Sequence, residues 1–375
     1  MTWVIHLLVI LLFFLFGCER RQTVKVDTGN EILDALLQDV DHSVINLDQV
    51  ELDTLVAEKE NILGYRDSDN DHLPEFLGTI ADLLILDETI LVADRQQNLI
   101  WEMDLQGFWK QVQGNEGEGP GEFRNLFKIL SNSTRVYAID RSNARIQVYD
   151  HQLTNKGMFS QTVFGISDEQ FSVSDDYIFY PSDPFSDSLL VKVRSANMPW
   201  KEEDSFLPAL IPAGQQPAAY NTFHSHSNSR GNFVATYAGT PYLFIFNDDF
   251  KLEHYIRFES SFYTELDNPS LNPVSSSQLM QAGEPPVPGV KSFIYNLKVS
   301  ENETIYFLVD STLFRLTRGS RGGYDIQRGW VMKDGARDED KLDGEVIQIG
   351  KFDVKNDMMI LSTFGSQEIL RFNLK

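Results

Sequence analysis

The sequence contains an internal repeat that leaves few folds open to it. Residues 91–104, LVADRQQNLIWEMD, align without a gap with residues 137–150, YAIDRSNARIQVYD, at a shift of 46 residues. Both segments place a polar turn between two β-rich runs, which is the pattern of an antiparallel hairpin. A period of about 40–50 residues is typical of one blade of a β-propeller.

Weaker copies of this hairpin begin near residues 177, 232, 304 and 358. Each has alternating apolar residues and β-branched or aromatic side chains on both sides of a turn. Six hairpins predict an all-β fold, a six-bladed β-propeller of four-stranded antiparallel blades. We expect little helix beyond Asn30–Val40, because no later stretch sustains helical periodicity.

The C-terminus predicts how the ring closes. The sixth hairpin ends at Asn373, so the chain has no residues left for the outer strand of that blade. We expect an N-terminal strand to supply it, with the β-rich segment Ser43–Leu55 pairing with Glu368–Asn373. The alternative is that Ser43–Leu55 is an edge strand packed elsewhere.

The N-terminus predicts export. Trp3–Phe16 is an apolar run too short to span a bilayer and is typical of a signal peptide. The run is followed by Gly17 and Cys18, and residues 15–18, Leu-Phe-Gly-Cys, resemble the bacterial lipobox; Cys18 is the only cysteine of the chain. The resemblance implies lipidation of Cys18 after cleavage. The expected organisation is a signal peptide (1–17), a lipidated tether (18–42) and the propeller (43–375) in the cell envelope.

The charge of the chain restricts its partners. It has 32 basic and 55 acidic residues, a net charge of −23. Such a surface repels phosphate backbones and anionic headgroups, so nucleic-acid binding is not expected. Contact with the membrane is expected only through the lipid anchor.

The segment GNEGEGPGEF at 114–123 resembles the GxGxGPGEF turn between blades of NHL-like propellers, especially the six-bladed propeller lipoproteins of Gram-negative bacteria. The resemblance implies fold and location more than activity. The turn residues are Gly114, Gly117, Gly119, Pro120, Gly121, Glu122 and Phe123. A phosphate-binding loop is disfavoured, because the loop carries three glutamates and its proline lacks an amide donor.

Two clusters could bind metal, but neither has a complete ligand set. Asp67, Asp69 and Asp71 have the spacing of a calcium loop, yet the closing glutamate is absent, and a solvated acidic insertion is favoured. His224 and His226 share one face of an inner strand without an identifiable third ligand. We therefore predict no metal and no cofactor, and we interpret the two histidines as polar lining of the channel.

Aligning the hairpins places three lysines at one level of the channel. Counting back 12 residues from Asp140, Asp310 and Thr363 reaches Lys128, Lys298 and Lys351. With His224 and His226, they are predicted to form a polar mouth that attracts a carboxylate or another anionic group. The alternative is a register slip that turns the lysines toward solvent.

Two further stretches, Ser195–Tyr220 and Ser260–Val290, are long and irregular, and they predict either a lid or partner surface or flexible decoration. The chain has no catalytic signature, and we assign no catalytic residue. The leading hypothesis is a lipid-anchored propeller that binds a small-molecule or protein ligand at the channel face. The alternatives are a propeller hydrolase or lyase acting on a carbohydrate or lactone, and a structural subunit of an envelope complex.

Overall fold

Antiparallel sheets dominate the part of the chain that the structure, a computed structural model, describes. The described residues are 26–58, 61–64, 77–161, 168–183, 187–282, 289–320, 322–335, 346–363 and 368–374. Cys18 and the aspartates at 67, 69 and 71 therefore lie outside the described residues. Among the described residues, no helix has the length and apolarity required to cross a membrane.

The described chain begins with one helix and three separate strands. They are α1 (Glu31–Leu37), β1 (Asp41–Asn46), β2 (Leu52–Ala57) and β3 (Ile62–Leu63). The predicted helix is confirmed within Asn30–Val40. The Asn30 side chain caps it by accepting the amide of Leu33 at 2.9 Å. Leu33 and Leu37, one turn apart, are buried on the same face.

The first three blades follow the predicted hairpins. Blade 1 comprises β4 (Ile80–Ile85), β5 (Thr89–Asp94), β6 (Leu99–Asp104) and β7 (Trp109–Gly114); blade 2 comprises β8 (Leu126–Ser131), β9 (Arg135–Asp140), β10 (Arg145–Asp150) and β11 (Asn155–Ser160); blade 3 comprises β12 (Ser172–Val173), β13 (Tyr177–Pro181), β14 (Leu189–Ser195) and β15 (Glu202–Pro208). The strands of each blade are antiparallel and consecutive from the channel outward. Glu202–Pro208 is thus the outer strand of blade 3, so the expectation that all of Ser195–Tyr220 is irregular is wrong.

Three more blades complete the predicted six. The remaining strands are β16 (Gln215–Gln216), β17 (Phe223–Ser227), β18 (Phe233–Tyr237), β19 (Tyr242–Phe246) and β20 (Leu252–Glu259), then β21 (Val274–Ser275), β22 (Ile294–Val299), β23 (Ile305–Val309), β24 (Thr312–Arg318) and β25 (Tyr324–Asp334), and finally β26 (Ile349–Lys355), β27 (Met358–Thr363) and β28 (Ile369–Asn373). Blade 4 is β17–β20, blade 5 is β22–β25, and blade 6 is β26–β28 with β3. The fold is thus the predicted six-bladed propeller.

The propeller has two distinct faces. Loops that join one blade to the next meet where the inner strands begin, and this side is called the connection face. The turns between the first two strands of each blade lie where the inner strands end, and this side is called the turn face. The buried apolar side chains pack mainly between neighbouring blades.

An N-terminal strand closes the ring, but it is not the predicted one. β3 pairs antiparallel with β28, and Leu63 opposes Ile369. β1 and β2 instead pair in parallel with β20 and β25, the outer strands of blades 4 and 5. The prediction that Ser43–Leu55 closes blade 6 is wrong, because this segment first passes the edges of two other blades. Its exposed Val44 and Leu52 differ from Leu63, which is buried between blades 6 and 1.

The glycine-rich turn lies in the loop between β7 and β8 and thus joins blades 1 and 2. Arg145 of β10 clamps it by donating to the carbonyl oxygens of Gly119 at 3.0 Å and Glu122 at 2.8 Å. The Glu122 carboxylate accepts the amide of Gly119 at 2.7 Å. Phe123 is completely buried between the two blades. The carboxylate thus closes the turn internally, and the arginine fixes it to blade 2.

The two irregular insertions meet on the connection face. β16 pairs with β21, and the Tyr220 hydroxyl donates to the carbonyl of Pro269 at 2.5 Å. The second insertion also contains two short helices, α2 (Ser261–Glu265) and α3 (Ser276–Ala282). Together they form one surface beside blades 3 and 4.

Candidate functional site

The first level of the channel is a layer of polar side chains. In blades 1, 2, 4 and 5, the inner-strand residue at this level pairs with the next-to-last residue of the second strand. Blades 3 and 6 each contribute one residue at the same level. This layer, called the charged layer, contains Asp82, Lys128, Glu169, His224, Asn296 and Lys351. Glu169 comes from a 3-10 turn, Asp168–Gln170, that precedes β12.

Glu169 joins the charged layer into one network. Its carboxylate accepts from Lys128 Nζ at 3.2 Å and from Lys351 Nζ at 2.8 Å. Lys128 Nζ also lies 3.8 Å from the carboxylate of Asp82. Lys128 is only 1% exposed and Glu169 only 4%. These ion pairs fill the channel at this level.

The electrostatics of the network keep Glu169 ionised. Burial alone would raise the pKa of Glu169, because it disfavours the charged form. The ammonium groups of Lys128, Lys351 and Lys298 outweigh this effect and hold the pKa well below its ordinary value. The anion that these lysines attract is therefore supplied by the chain itself.

The second level lies nearer the turn face and is divided into two halves. In each blade, the inner-strand residue at this level pairs with the residue three positions before the last residue of the second strand. This layer is called the cavity layer. Blades 1, 2 and 3 contribute Leu84, Leu130 and Val173; blades 4, 5 and 6 contribute His226, Lys298 and Asp353. One wall is thus aliphatic and the other is polar.

The cavity layer lines a pocket of about 470 Å³ that opens on the turn face. The turns after the inner strands of blades 4, 5 and 6 form its rim, with Asn228–Ser229, Ser300–Asn302 and Lys355–Asp357. Pockets of about 300–1,000 Å³ are the size that accepts small molecules. The charged layer lies behind the pocket, toward the connection face.

Hydrogen bonds orient the polar wall. His226 Nδ1 accepts the amide of Val299 at 3.1 Å, so the neutral ring carries its proton on Nε2. Burial, then Lys298 and Lys128, lower the pKa of His226 well below its ordinary value, so the ring is neutral. Asp353 Oδ2 accepts the amide of Ile85 at 2.7 Å. Burial raises the pKa of Asp353 despite the opposing charge of Lys298.

One donor of this wall remains unused. Lys298 Nζ lies 3.9 Å from Asp353 Oδ1, which is an ion pair but too long for a hydrogen bond. Among the residues that the structure describes, its ammonium has no hydrogen-bond acceptor. The Ser227 hydroxyl also lacks a hydrogen-bond partner within the described part of the chain, but it is closed off from solvent, and Ser227 faces the opposite side of β17 from His226. Unpaired buried polar groups are rare and often mark sites for water or ligands.

The structure distributes the five predicted ligand residues over both layers. Lys128, Lys351 and His224 lie in the charged layer, and His224 Nε2 is 3.2 Å from Ser292 Oγ. Lys298 and His226 lie in the cavity layer. The expectation of three lysines at one level is wrong for Lys298, because Val309, not Asp310, opposes the first residue of its inner strand. A two-residue offset keeps the same face of the strand, so Lys298 still lies in the channel.

Sequence reasoning missed the acidic partners Glu169 and Asp353. The only available signal was physical, because buried lysines require counter-ions. The sequence did not show which carboxylates supply these counter-ions, because Glu169 lies outside the repeated strands. Within the described residues, no three or more histidine, cysteine or acidic side chains form a group that could hold a metal ion.

The fold and the pocket define a six-bladed β-propeller whose channel opens as a cavity on one face. A family model described as "6-bladed beta-propeller" (DUF5128) matches residues 75–308. The chain therefore belongs to this family. A search of curated proteins finds no significant match.

Solved structures share the fold at low sequence identity. A DUF4221 family member from Bacteroides vulgatus is 10% identical with a TM-score of 0.53, over 86% of this chain and 97% of that one. A Bacteroides fragilis protein, provisionally described as exported, is 12% identical with a TM-score of 0.49, over 85% and 88%. A catalytically inactive variant of virginiamycin B lyase from Staphylococcus aureus, solved with quinupristin, is 8% identical with a TM-score of 0.46, over 87% and 100%. These likenesses concern the fold alone.

Proposed function

We propose that this protein is an exported, lipid-anchored β-propeller that binds a small molecule in the turn-face cavity. One observation carries the proposal: a cavity of about 470 Å³ has an aliphatic wall and a polar wall, and the ammonium of Lys298 on the polar wall has no hydrogen-bond acceptor among the described residues. Leaving such a group unpaired costs about 1–3 kcal/mol, so a bound molecule that pairs with it gains that energy.

The anchor and the cavity belong to opposite faces under this proposal. Asn30 donates to the carbonyls of Leu210 at 2.9 Å and Leu271 at 3.2 Å, both in loops of the connection face. Cys18 and Val26 are eight positions apart, so the chain between them reaches at most about 28 Å when extended. A lipidated Cys18 would therefore hold the connection face toward the membrane and leave the cavity open to the surrounding space.

Membrane fractionation tests the anchor. Cys18→Ser is expected to release the protein from membranes or to leave it unprocessed, because lipid is the only anchor proposed. Recovery of the unaltered protein in the soluble fraction would contradict this part of the proposal.

A blocked cavity tests the binding site. The purified mature protein is screened by thermal shift against organic acids, sugars and peptides, because a ligand at 100 times its Kd stabilises the native state by about 2.7 kcal/mol. Ser131→Trp is expected to abolish the shift, since Ser131 lines the cavity. Ser133→Trp is the matched control, because Ser133 lies in the adjacent exposed turn. Equal shifts in both variants would exclude the cavity as the site.

A second candidate, a hydrolase or lyase, is favoured by the pair His226 and Asp353. Both line the cavity, and their pKa values are shifted in opposite directions, one lowered and the other raised. Such pairs can supply the base and the acid of a proton transfer. Turnover of a bound carbohydrate or lactone that His226→Asn abolishes at saturating substrate would establish this activity. The absence of turnover of every bound carbohydrate and lactone by the unaltered protein would exclude it, and an intact product profile in the variant would exclude the role of His226.

A further inference from the structure

The apolar wall of the cavity restricts the ligand first. Leu84, Leu130 and Val173 come from three consecutive blades and are each less than 10% exposed. They carry no polar atoms in their side chains. Hydrocarbon placed against them gains about 25 cal/mol for each Å² removed from water. A ligand that uses the whole cavity therefore has an apolar body.

The polar wall offers donors rather than acceptors. His226 presents its Nε2 proton, because Nδ1 is occupied by the amide of Val299. Lys298 adds an ammonium that has no hydrogen-bond acceptor in the described part of the chain. The acceptor on this wall, Asp353, already uses one oxygen for the amide of Ile85. A group that accepts several hydrogen bonds at once suits this arrangement.

The charges around the cavity determine which kind of hydrogen-bond acceptor a ligand should carry. Lys128 and Lys351 both donate to Glu169, so the charged layer is matched internally. Within the described residues, Lys298 forms one ion pair, at 3.9 Å with Asp353. A carboxylate can accept from the ammonium of Lys298 and from the Nε2–H of His226 together, and a hydrogen bond between two charged groups is stronger than a neutral one. A neutral carbonyl accepts fewer bonds, and an amine would be repelled by Lys298.

We infer that the ligand is a carboxylic acid with an apolar body, bound with its carboxylate on Lys298 and His226 and its hydrocarbon on Leu84, Leu130 and Val173. The inference rests on the proposed function, because it names the class of molecule that the same cavity takes. It is narrower than that function, since alcohols, esters and amines of the same size would also fit the volume.

Matched probes test the inference by isothermal titration of the purified mature protein. The acids are octanoate and 3-phenylpropionate, and each is compared with the alcohol and the amine of the same skeleton. We expect the acids to bind at least about tenfold more tightly than the alcohols, because a hydrogen bond to a charged group contributes about 1.5–3 kcal/mol. The amines are expected to bind most weakly.

Two variants locate the carboxylate. Lys298→Met is expected to weaken octanoate binding about tenfold or more, whereas Lys251→Met is expected to leave it unchanged, because Lys251 forms an exposed ion pair of similar length, 3.8 Å, with Asp249 and does not line the cavity. His226→Asn keeps an oxygen that can accept the amide of Val299 but removes the Nε2 donor, so it should fold normally and weaken the acids several-fold with little effect on the alcohols. It keeps the test valid if Lys298→Met does not fold.

The outcomes separate the two levels of the proposal. If the alcohols or amines bind as tightly as the acids, or if the Lys298 and His226 variants bind octanoate like the control, the ligand class is wrong while small-molecule binding stands. If no probe binds and the broader screen gives no shift that Ser131→Trp abolishes, the proposed function fails as well.

Discussion

Replacing Glu169 by glutamine tests whether the charged layer holds the channel together. The change keeps the shape of the side chain but removes the charge that meets Lys128 at 3.2 Å and Lys351 at 2.8 Å. Breaking a buried ion pair costs about 3–5 kcal/mol, because the remaining charge stays desolvated. Two ammonium groups lose this partner here, so we expect the upper half of that range, about 4–5 kcal/mol of unfolding free energy.

Urea unfolding, followed by tryptophan fluorescence, measures the effect. Glu259→Gln is the control, because Glu259 forms a pair of similar length with Arg257, at 2.8 Å, but both side chains are about half exposed. Exposed pairs contribute about 0–1 kcal/mol. The double variant Glu169→Gln/Lys128→Met should recover part of the loss, because the buried lysine is removed too. If Glu169→Gln costs no more than Glu259→Gln, the network does not stabilise the propeller.

Three further changes probe other parts of the structure. The pKa of His226 is lowered in the folded state, so the stability that the neutral ring contributes is present above the ordinary pKa of 6.5 and is lost as the pH falls below that value. His226→Asn should therefore reduce the slope of unfolding free energy against pH below 6.5 by up to about 1.4 kcal/mol per pH unit, measured by urea unfolding. Equal slopes in the variant and the unaltered protein would contradict this. Arg145→Ala should lower the unfolding free energy by about 2–4 kcal/mol, because it releases the turn between blades 1 and 2, and a loss below about 1 kcal/mol would show that the clamp is dispensable. Leu63→Ala should cost about 2–5 kcal/mol but the exposed Val56→Ala less than about 0.5 kcal/mol, and equal melting temperatures would refute the assignment of β3 as the closing strand.

The repeat could be found in the sequence because its aspartates have a structural role. Asp94 accepts the amide of Gly78 at 2.6 Å, and Asp140 accepts the amide of Arg124 at 3.1 Å. Each carboxylate holds the chain where it approaches the inner strand of its own blade, and both aspartates are completely buried. The repeated aspartates therefore mark a backbone hydrogen bond that forms at the same place in both blades. This repeat allowed the hairpins and the number of blades to be predicted.

The exact level of each channel residue could not be obtained in this way. Asp140 ends β9 and is followed by a four-residue turn, whereas Asp310 lies in the two-residue turn between β23 and β24 and has a φ of 51°. The two aspartates look alike in sequence but occupy different places. Lys298 is therefore displaced by two residues relative to Lys128, which moves it from the charged layer to the cavity layer.

The lengths of the strand pairings explain why the sequence predicted the wrong closing strand. β3 has only two residues paired with β28, too few to hold a ring on their own. β1 and β2 each pair over six residues with blades 4 and 5, and α1 buries Leu33 and Leu37 against blades 3 and 4. These attachments keep β3 close to its partner, so the short pairing forms at a high effective concentration. The attachments of α1, β1 and β2 thus precede the closing strand along the chain, and a force applied at the N-terminal end of α1 would act on its packing against blades 3 and 4 before it acted on β3.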